Sequence, residues 1–293
     1  MIPKELLRKI RRIEIRTSHL ANEALAGQYQ SAFKGRGMEF EEVRPYQLGD
    51  DVRSIDWNVS ARFGEPFVKI FREERELTVM LVVDMSRSQQ FGTNQQLKRD
   101  LAAEICATLA FSAIRNNDKV GLIGFADEVE KFVPPRKGTS HVLRVIREIL
   151  AFRPAGTGTS IQAALEHLNR IMRRRAVVFV VSDFQDNGYE SALRIARRRH
   201  DVILINVDDR RELSLPNVGL IELYDRETRR RVLVDTASRR WRRRYTELAT
   251  LAALEQDRLF QSMKIDHIRI STGESFVEPL VTLFRKREAR WAR

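Results

Sequence analysis

Continuous apolar runs alternate along this chain with amphipathic stretches. Two runs rich in β-branched residues, Leu77–Val83 and Ala176–Val181, predict strands buried on both faces, and Val202–Val207 predicts a further strand. Val120–Phe125 predicts another strand, and Val129–Val133 is expected to pair back on it as a hairpin. Helical periodicity separates these strands, in segments near 94–116, 140–151, 161–171 and 189–200. The alternation predicts a doubly wound, mostly parallel α/β sheet.

The pattern changes on both sides of this alternating region. Residues 4–26 predict an amphipathic helix with a basic face, and 38–76 contain short β-like pieces after a Gly-rich turn at 34–37. We therefore divide the chain into 1–76 and 77–293. A predicted hairpin (Gly219–Tyr224 with Arg231–Val234) and a helix at 238–262 indicate an insertion at about 209–263. The last strand and helix are expected at 267–270 and 276–290.

Composition narrows the class of protein. The 293 residues are 43% hydrophobic, enough for a sizeable core, and carry a net charge of +12. No apolar stretch has the roughly 20 residues of a membrane-spanning helix, and the N-terminus lacks the apolar segment of a signal peptide. The single Cys106 fits a reducing compartment. The arginine clusters lack aromatic interleaving, so we expect solvated helix ends rather than nucleic-acid binding.

Oxygen-bearing side chains lie after two of the predicted strands and at the start of one predicted helix. Asp84, Ser86 and Ser88 follow the first buried run, and alternate residues of an extended segment can point the same way. Thr159 precedes the helix that Ser160 is expected to cap, and Asp183 follows Ala176–Val181. Ligand sites of open α/β sheets lie beyond the carboxyl ends of the strands. Carboxylate and hydroxyl oxygens suit Mg²⁺ or Mn²⁺, so a metal site is predicted, against the alternative that these residues only cap helices and turns.

This set resembles the metal-ion-dependent adhesion site (MIDAS) of von Willebrand factor A domains, D-x-S-x-S, then Thr, then Asp. The resemblance implies that Asp84, Ser86, Ser88, Thr159 and Asp183 hold the ion, with Thr157 the second choice for the threonine. It also implies that a partner's Asp or Glu completes the coordination. Phe184 departs from the pattern, because many adhesion domains have glycine there.

The segment before the first buried strand resembles a bacterial family of unknown function that joins such a segment to a von Willebrand factor A-like domain. The resemblance rests on Gly35–Phe40, Arg44-Pro45-Tyr46, Gly49–Arg53, Ile55-Asp56-Trp57 and Ser60-Ala61-Arg62. It implies a MoxR-type AAA+ ATPase as the partner. Two interpretations of the charged stretch remain open: a salt-bridged turn with Trp57 packed on the core, or a docking edge formed by Asp50, Asp51, Arg53, Asp56 and Trp57.

These observations predict a metal-dependent protein-interaction module rather than an enzyme. We expect an adaptor that works with the ATPase in the assembly or maturation of client proteins, in the cytoplasm. Contact with the inner membrane through the basic N-terminal helix is a further possibility. The alternatives are a metal-assisted phosphohydrolase, disfavoured by a site dominated by Ser and Thr, and a basic binder of nucleic acid or membrane surfaces.

Overall fold

The computed structural model describes residues 4–21, 25–33, 39–72, 76–93, 96–156, 158–224 and 231–291. The largest sheet among these residues has six strands: β3 (Thr78–Asp84), β4 (Lys119–Phe125), β5 (Val129–Arg136), β6 (Val177–Ser182), β7 (Asp201–Asp208) and β10 (Asp266–Ser271). The strands lie in the order β10-β7-β6-β3-β4-β5, and every neighbouring pair is parallel except β4 with β5. The mostly parallel sheet and the β4–β5 hairpin predicted from the sequence are confirmed.

Helices cover both faces of this sheet. The helices of the chain are α1 (Lys4–Leu20), α2 (Ala26–Phe33), α3 (Trp57–Phe63), α4 (Lys98–Arg115), α5 (Thr139–Ala151), α6 (Ile161–Ile171), α7 (Glu190–Arg199), α8 (Arg210–Leu213), α9 (Arg239–Ser262) and α10 (Val277–Trp291). Successive side chains of β3 point to opposite faces of the sheet. Met80 and Val82 lie in one apolar cluster with α6 and α7, while Leu81 points to the other face, where α4 packs. Because both faces are covered, the central strands have no polar stripe.

The predicted insertion between β7 and β10 is present. It contains α8, the antiparallel hairpin of β8 (Leu220–Tyr224) and β9 (Arg231–Asp235), and the 24-residue α9. Phe260 of α9 is buried in the same apolar cluster as α6 and α7. The insertion therefore packs on the sheet domain through the end of its long helix.

The chain separates into two compact units whose boundary differs from the division at 76/77. One unit is Phe33–Leu77, with β1 (Glu39–Pro45), β2 (Phe67–Arg72) and α3; the other contains the N-terminal helices and everything after the first unit. Helix α1 packs on α4, where Lys9 pairs with Asp100 and Arg16 pairs with Glu104. A basic helix face thus meets acidic side chains of the larger unit, which accounts for the difference.

Two helix predictions need correction. The single helix expected over 4–26 is α1, which ends at Leu20, followed by α2, which was not predicted. The helix predicted near 94–116, for which Thr93 and Gln96 offer a capping box, starts later than expected: α4 begins at Lys98, and Thr93 instead donates hydrogen bonds to Asp209, 116 residues away. The Gly-rich turn at 34–37 lies outside the described residues.

One edge of the sheet is formed by β5, which contains two consecutive prolines. Pro134 and Pro135 lie within the strand, where its register against β4 shifts between Val120 and Leu122. Proline has no N–H to donate, and it is tolerated in sheets only at edges and bulges. The two prolines are therefore compatible with β5, because it is an edge strand and its pairing with β4 is irregular at this point.

Burial of His200 predicts a pH-dependent loss of stability. His200 is the first residue after α7, and its Nδ1 accepts a hydrogen bond from the backbone N–H of Ala176 (3.3 Å). Burial, with the nearby charges of Arg199 and Arg175, lowers the pKa of His200 to about 4. The unfolded chain keeps a histidine pKa near 6.5, so it takes up a proton that the folded chain does not as the pH falls from about 6.5 to 4.

We therefore expect the free energy of unfolding to fall by about 2–3 kcal/mol over this window through His200 alone. The measurement is urea unfolding at pH 7.5 and pH 4.5, compared with His200→Gln, which keeps a polar side chain without the titration. The variant should lose less stability on acidification than the wild type. Equal losses would show that His200 is not the titrating group.

Candidate metal centre

The ends of two neighbouring strands place the acidic residues at one edge of the sheet. Strands β3 and β6 are parallel and paired, with Val83 opposite Val181. Asp84 is the last residue of β3, and Ser182, the last residue of β6, donates a hydrogen bond from its hydroxyl to the Asp84 carboxylate (2.7 Å). Asp183 follows directly. The strand register thus brings Asp84 and Asp183, 99 positions apart in sequence, to the same place.

The Asp84 carboxylate is buried among uncharged partners. One oxygen accepts the backbone N–H of Ser86 (2.9 Å), and the other accepts the Ser182 hydroxyl and a long contact from the Gln89 amide (3.4 Å). Burial, and then the negative charge of Asp183, raises the pKa of Asp84 to about 7. A carboxylate of this kind is stabilised by any cation that comes close to it.

The two serines of D-x-S-x-S converge as predicted. The hydroxyl oxygens of Ser86 and Ser88 lie 2.9 Å apart, and Ser86 is fully buried. A 3-10 turn at Arg87–Gln90 follows Ser86 and brings Ser88 back beside it. Asp84, Ser86 and Ser88 therefore form a local cluster of hard oxygen donors at the end of β3.

The loop that carries Thr159 reaches the end of the next strand. The backbone N–H of Ser160 donates to the carbonyl of Ala126, just after β4, and β4 pairs with β3 up to Asp84 and Phe125. The Ser160 hydroxyl caps α6 by accepting the N–H of Ala163, as predicted. Thr159 is thereby held at the same edge of the sheet. Thr157, the second choice, lies outside the described residues.

Asp183 is bound by a lysine that the sequence did not point to. Lys98, the first residue of α4, is fully buried, and its ammonium lies 2.8 Å from Asp183 and 2.6 Å from Glu212. Burial lowers the pKa of Lys98, but the charges of Asp183 and Glu212 outweigh it and raise the value to about 12. A weak signal was present: Lys98, Leu101, Ala102 and Ile105 share one buried helix face.

The contacts of Phe184 account for a phenylalanine at the position where many adhesion domains have glycine. Its backbone φ is 54°, in the left-handed region that favours glycine. The phenylalanine ring is buried against Tyr189 and Phe260, and the Phe184 carbonyl accepts a hydrogen bond from Gln256 of α9. Packing against the inserted helix thus holds a strained residue next to Asp183.

The charged stretch of the smaller unit is mostly engaged within itself. Asp50 forms two hydrogen bonds with Arg44 (both 2.7 Å), Asp51 caps a 3-10 turn, and Asp56 caps α3 and pairs with Lys69. Arg53 is exposed. Trp57 is 67% exposed, so the interpretation that packs it on the core is wrong. Of the five proposed docking residues, Arg53 and Trp57 are the ones most available to a partner.

The oxygen donors at this site are of the kind that bind a hard divalent cation, but they do not form a metal centre built from several carboxylates. Within the described ranges no cluster of three or more His, Cys, Asp and Glu side chains could hold a metal. Asp84, Ser86 and Ser88 instead supply one buried carboxylate and two adjoining hydroxyls, ligands that suit Mg²⁺ or Mn²⁺. The side chains at this edge of the sheet thus supply oxygen donors of the type that a hard cation requires.

The doubly wound sheet, with D-x-S-x-S at the end of a central strand, defines a von Willebrand factor A-like protein. The chain belongs to the family described as "Protein of unknown function DUF58", which matches residues 42–254. The uncharacterized protein Rv1480 of Mycobacterium tuberculosis is 35% identical over 227 residues, which cover 76% of this chain and 72% of that protein.

Two solved structures are similar to this chain. The conserved hypothetical protein BatB from Bacteroides thetaiotaomicron has 17% identity and a TM-score of 0.48, covering 73% of this chain and 99% of BatB. The SpRpn10 VWA domain has 12% identity and a TM-score of 0.38, covering 71% of this chain and 94% of that domain.

Among the described residues, no helix is both long and apolar enough to cross a membrane.

Proposed function

We propose that this chain is a cation-dependent protein-interaction module in which Asp84, Ser86, Ser88, Thr159 and Asp183 hold Mg²⁺ or Mn²⁺. A carboxylate of the partner would complete the coordination, so the ion would join the two proteins. The observation that carries the proposal is Asp84, a buried carboxylate whose hydrogen-bond partners in the described chain are all uncharged. The hydroxyl pair of Ser86 and Ser88 beside it supports a hard cation over any other partner.

The finer part of the proposal concerns the partner. We propose that the module is an adaptor for a MoxR-type AAA+ ATPase in the assembly or maturation of a client protein, and not an enzyme. The smaller unit offers exposed Arg53 and Trp57 as contacts for the ATPase. The cation edge, formed by other residues, would then remain for the acidic group of the client.

The test of the cation site is direct binding of Mn²⁺ to Asp84→Ala. We expect the variant to bind Mn²⁺ at least tenfold more weakly than the wild type, because it loses the carboxylate at the centre of the cluster. The measurement is titration calorimetry, with circular dichroism to establish that the variant is folded. Asp235→Asn is the matched control, an exposed aspartate at the end of β9, and should bind as the wild type does.

The test of the interaction is co-purification from the native cell with and without chelator. Partners of the wild type should be lost in excess EDTA and lost in Asp84→Ala, but retained by Asp235→Asn. Partner recovery that is indifferent to both EDTA and Asp84→Ala would refute cation-dependent binding. Binding that falls steeply with salt and ignores EDTA would instead favour a basic binder of nucleic acid or membranes.

A further inference from the structure

Lys98 places a fixed positive charge at the candidate metal centre. Its side chain has no exposed surface, and its ammonium contacts one oxygen of Asp183 and one of Glu212. The other Asp183 oxygen accepts the backbone N–H of Gln185 (3.2 Å). One of the five proposed cation ligands is thus already neutralised by a group of the protein itself.

A buried ammonium is costly, and a buried cluster of charges is rarely the most stable way to fill a protein interior. Removal of a lysine from water is unfavourable unless carboxylates compensate for it, and replacement of all members of such a cluster by apolar residues of similar volume often gives equal or greater stability. The neighbours of Lys98 on the buried face of α4 are apolar, among them Leu101, Ala102 and Ile105. Stability alone therefore gives little reason for the cluster of Lys98, Asp183 and Glu212, and its charge is the feature to explain.

The second carboxylate, Glu212, belongs to the insertion. It lies in α8, where one of its oxygens accepts the backbone N–H of Asp209 and the other contacts Lys98. Its backbone carbonyl accepts the hydroxyl of Tyr245 from α9 (3.0 Å). Two elements of the insertion therefore fix the carboxylate that shares Lys98 with Asp183.

The side-chain charges of these groups sum to that of one divalent anion when all the carboxylates are ionised. Asp84, Asp183 and Glu212 then carry three negative charges, and Lys98 carries one positive charge. The remainder is the charge that Mg²⁺ or Mn²⁺ neutralises. Without Glu212, Lys98 would compensate Asp183 alone and the attraction for a divalent cation would be weaker.

We propose that Lys98 is an internal competitor of the divalent cation for Asp183, and that Glu212 sets the strength of this competition by holding the same ammonium. The inference rests on the proposed function, since it concerns the affinity of that same site. It makes the cation affinity a property that the insertion can adjust. A change that moves Glu212 towards Lys98 strengthens cation binding, and a change that removes it weakens cation binding.

The test compares Mn²⁺ affinity, by electron paramagnetic resonance of free Mn²⁺, in three variants of the full chain. Lys98→Met should bind Mn²⁺ at least tenfold more tightly than the wild type, and Glu212→Gln at least threefold more weakly. Lys286→Met should leave the affinity unchanged, because it removes an exposed lysine of α10 beside Arg287, which pairs with the first residues of β7 and β10 at the opposite end of the parallel strands. A lysine with only a structural role would give the opposite sign, because loss of packing weakens a binding site.

The outcomes separate this inference from the proposed function. If the wild type binds Mn²⁺ and Lys98→Met binds it no more tightly, the competitor role is refuted and the cation site stands. If only Lys98→Met binds Mn²⁺, the competitor role is supported and a cation site in the wild type is refuted. If neither binds, both fail. Should Lys98→Met not fold, Glu212→Gln decides, and an affinity equal to that of the wild type overturns the inference.

Discussion

Replacement of Asp209 by alanine is expected to lower the free energy of unfolding by about 3–5 kcal/mol. The carboxylate is completely buried and joins three distant segments of the chain. It accepts hydrogen bonds from the backbone N–H (2.7 Å) and hydroxyl (2.9 Å) of Thr93, from the hydroxyl of Thr272, and from the N–H of Arg211 (2.9 Å). Alanine would leave these four donors without their acceptor, and three of them belong to residues far from Asp209 in sequence.

The pKa of Asp209 has the same physical origin. Burial opposes ionisation, but the hydrogen bonds from Thr272, Arg211 and Thr93 outweigh it and keep the pKa below the ordinary value. The measurement is urea unfolding at pH 7.5. Asp235→Ala is the matched control, because that exposed aspartate accepts one local N–H, from Ala237, and should cost less than about 1 kcal/mol. Equal effects of the two substitutions would contradict the tying role of Asp209.

In EDTA at pH 8, we expect Asp84→Asn to be more stable than the wild type by about 2–4 kcal/mol. Burial and the charge of Asp183 raise the pKa of Asp84 to about 7, whereas the unfolded chain has an aspartate pKa near 3.8. Between these values the unfolded chain loses a proton that the folded chain keeps. The wild type therefore loses stability as the pH rises through this window, and asparagine, which stays neutral, does not.

The same pair of proteins gives the cation test from the side of stability. The two proteins should be closest in stability near pH 4, diverge up to about pH 8 in EDTA, and converge again when excess Mg²⁺ stabilises the wild type alone. Thermal unfolding followed by circular dichroism measures all three conditions. Parallel pH profiles of the two proteins in EDTA would show that Asp84 carries no buried, unfavourable charge.

Local sequence patterns predicted most of the fold. The apolar runs of β3 and β6 are continuous and that of β7 is interrupted only by Asn206, and their shortness and β-branched residues favour strands over helices. The start of α4 was missed for a physical reason. Thr93 has the side chain of a helix cap, but its hydrogen bonds go to Asp209, and no local pattern reveals an acceptor 116 residues away.

The candidate site divides in the same way. Asp84, Ser86 and Ser88 are neighbours in sequence, and their convergence follows from a strand that ends in a turn. Asp183 could be placed beside them because parallel strands end at one edge. Lys98 and Glu212 could not, since a lysine at a helix start and a glutamate in a short turn are ordinary surface residues until tertiary contacts bury them.

The prolines of β5 have a consequence for how this chain can associate. Successive residues of a strand direct their N–H groups to opposite sides, so one of the two donors missing at Pro134 and Pro135 is missing from the open side of the sheet. A guest strand that tried to lengthen the sheet there would find its hydrogen-bonding ladder interrupted. Copies crowded together during synthesis are thus discouraged from joining along the β5 border of the sheet.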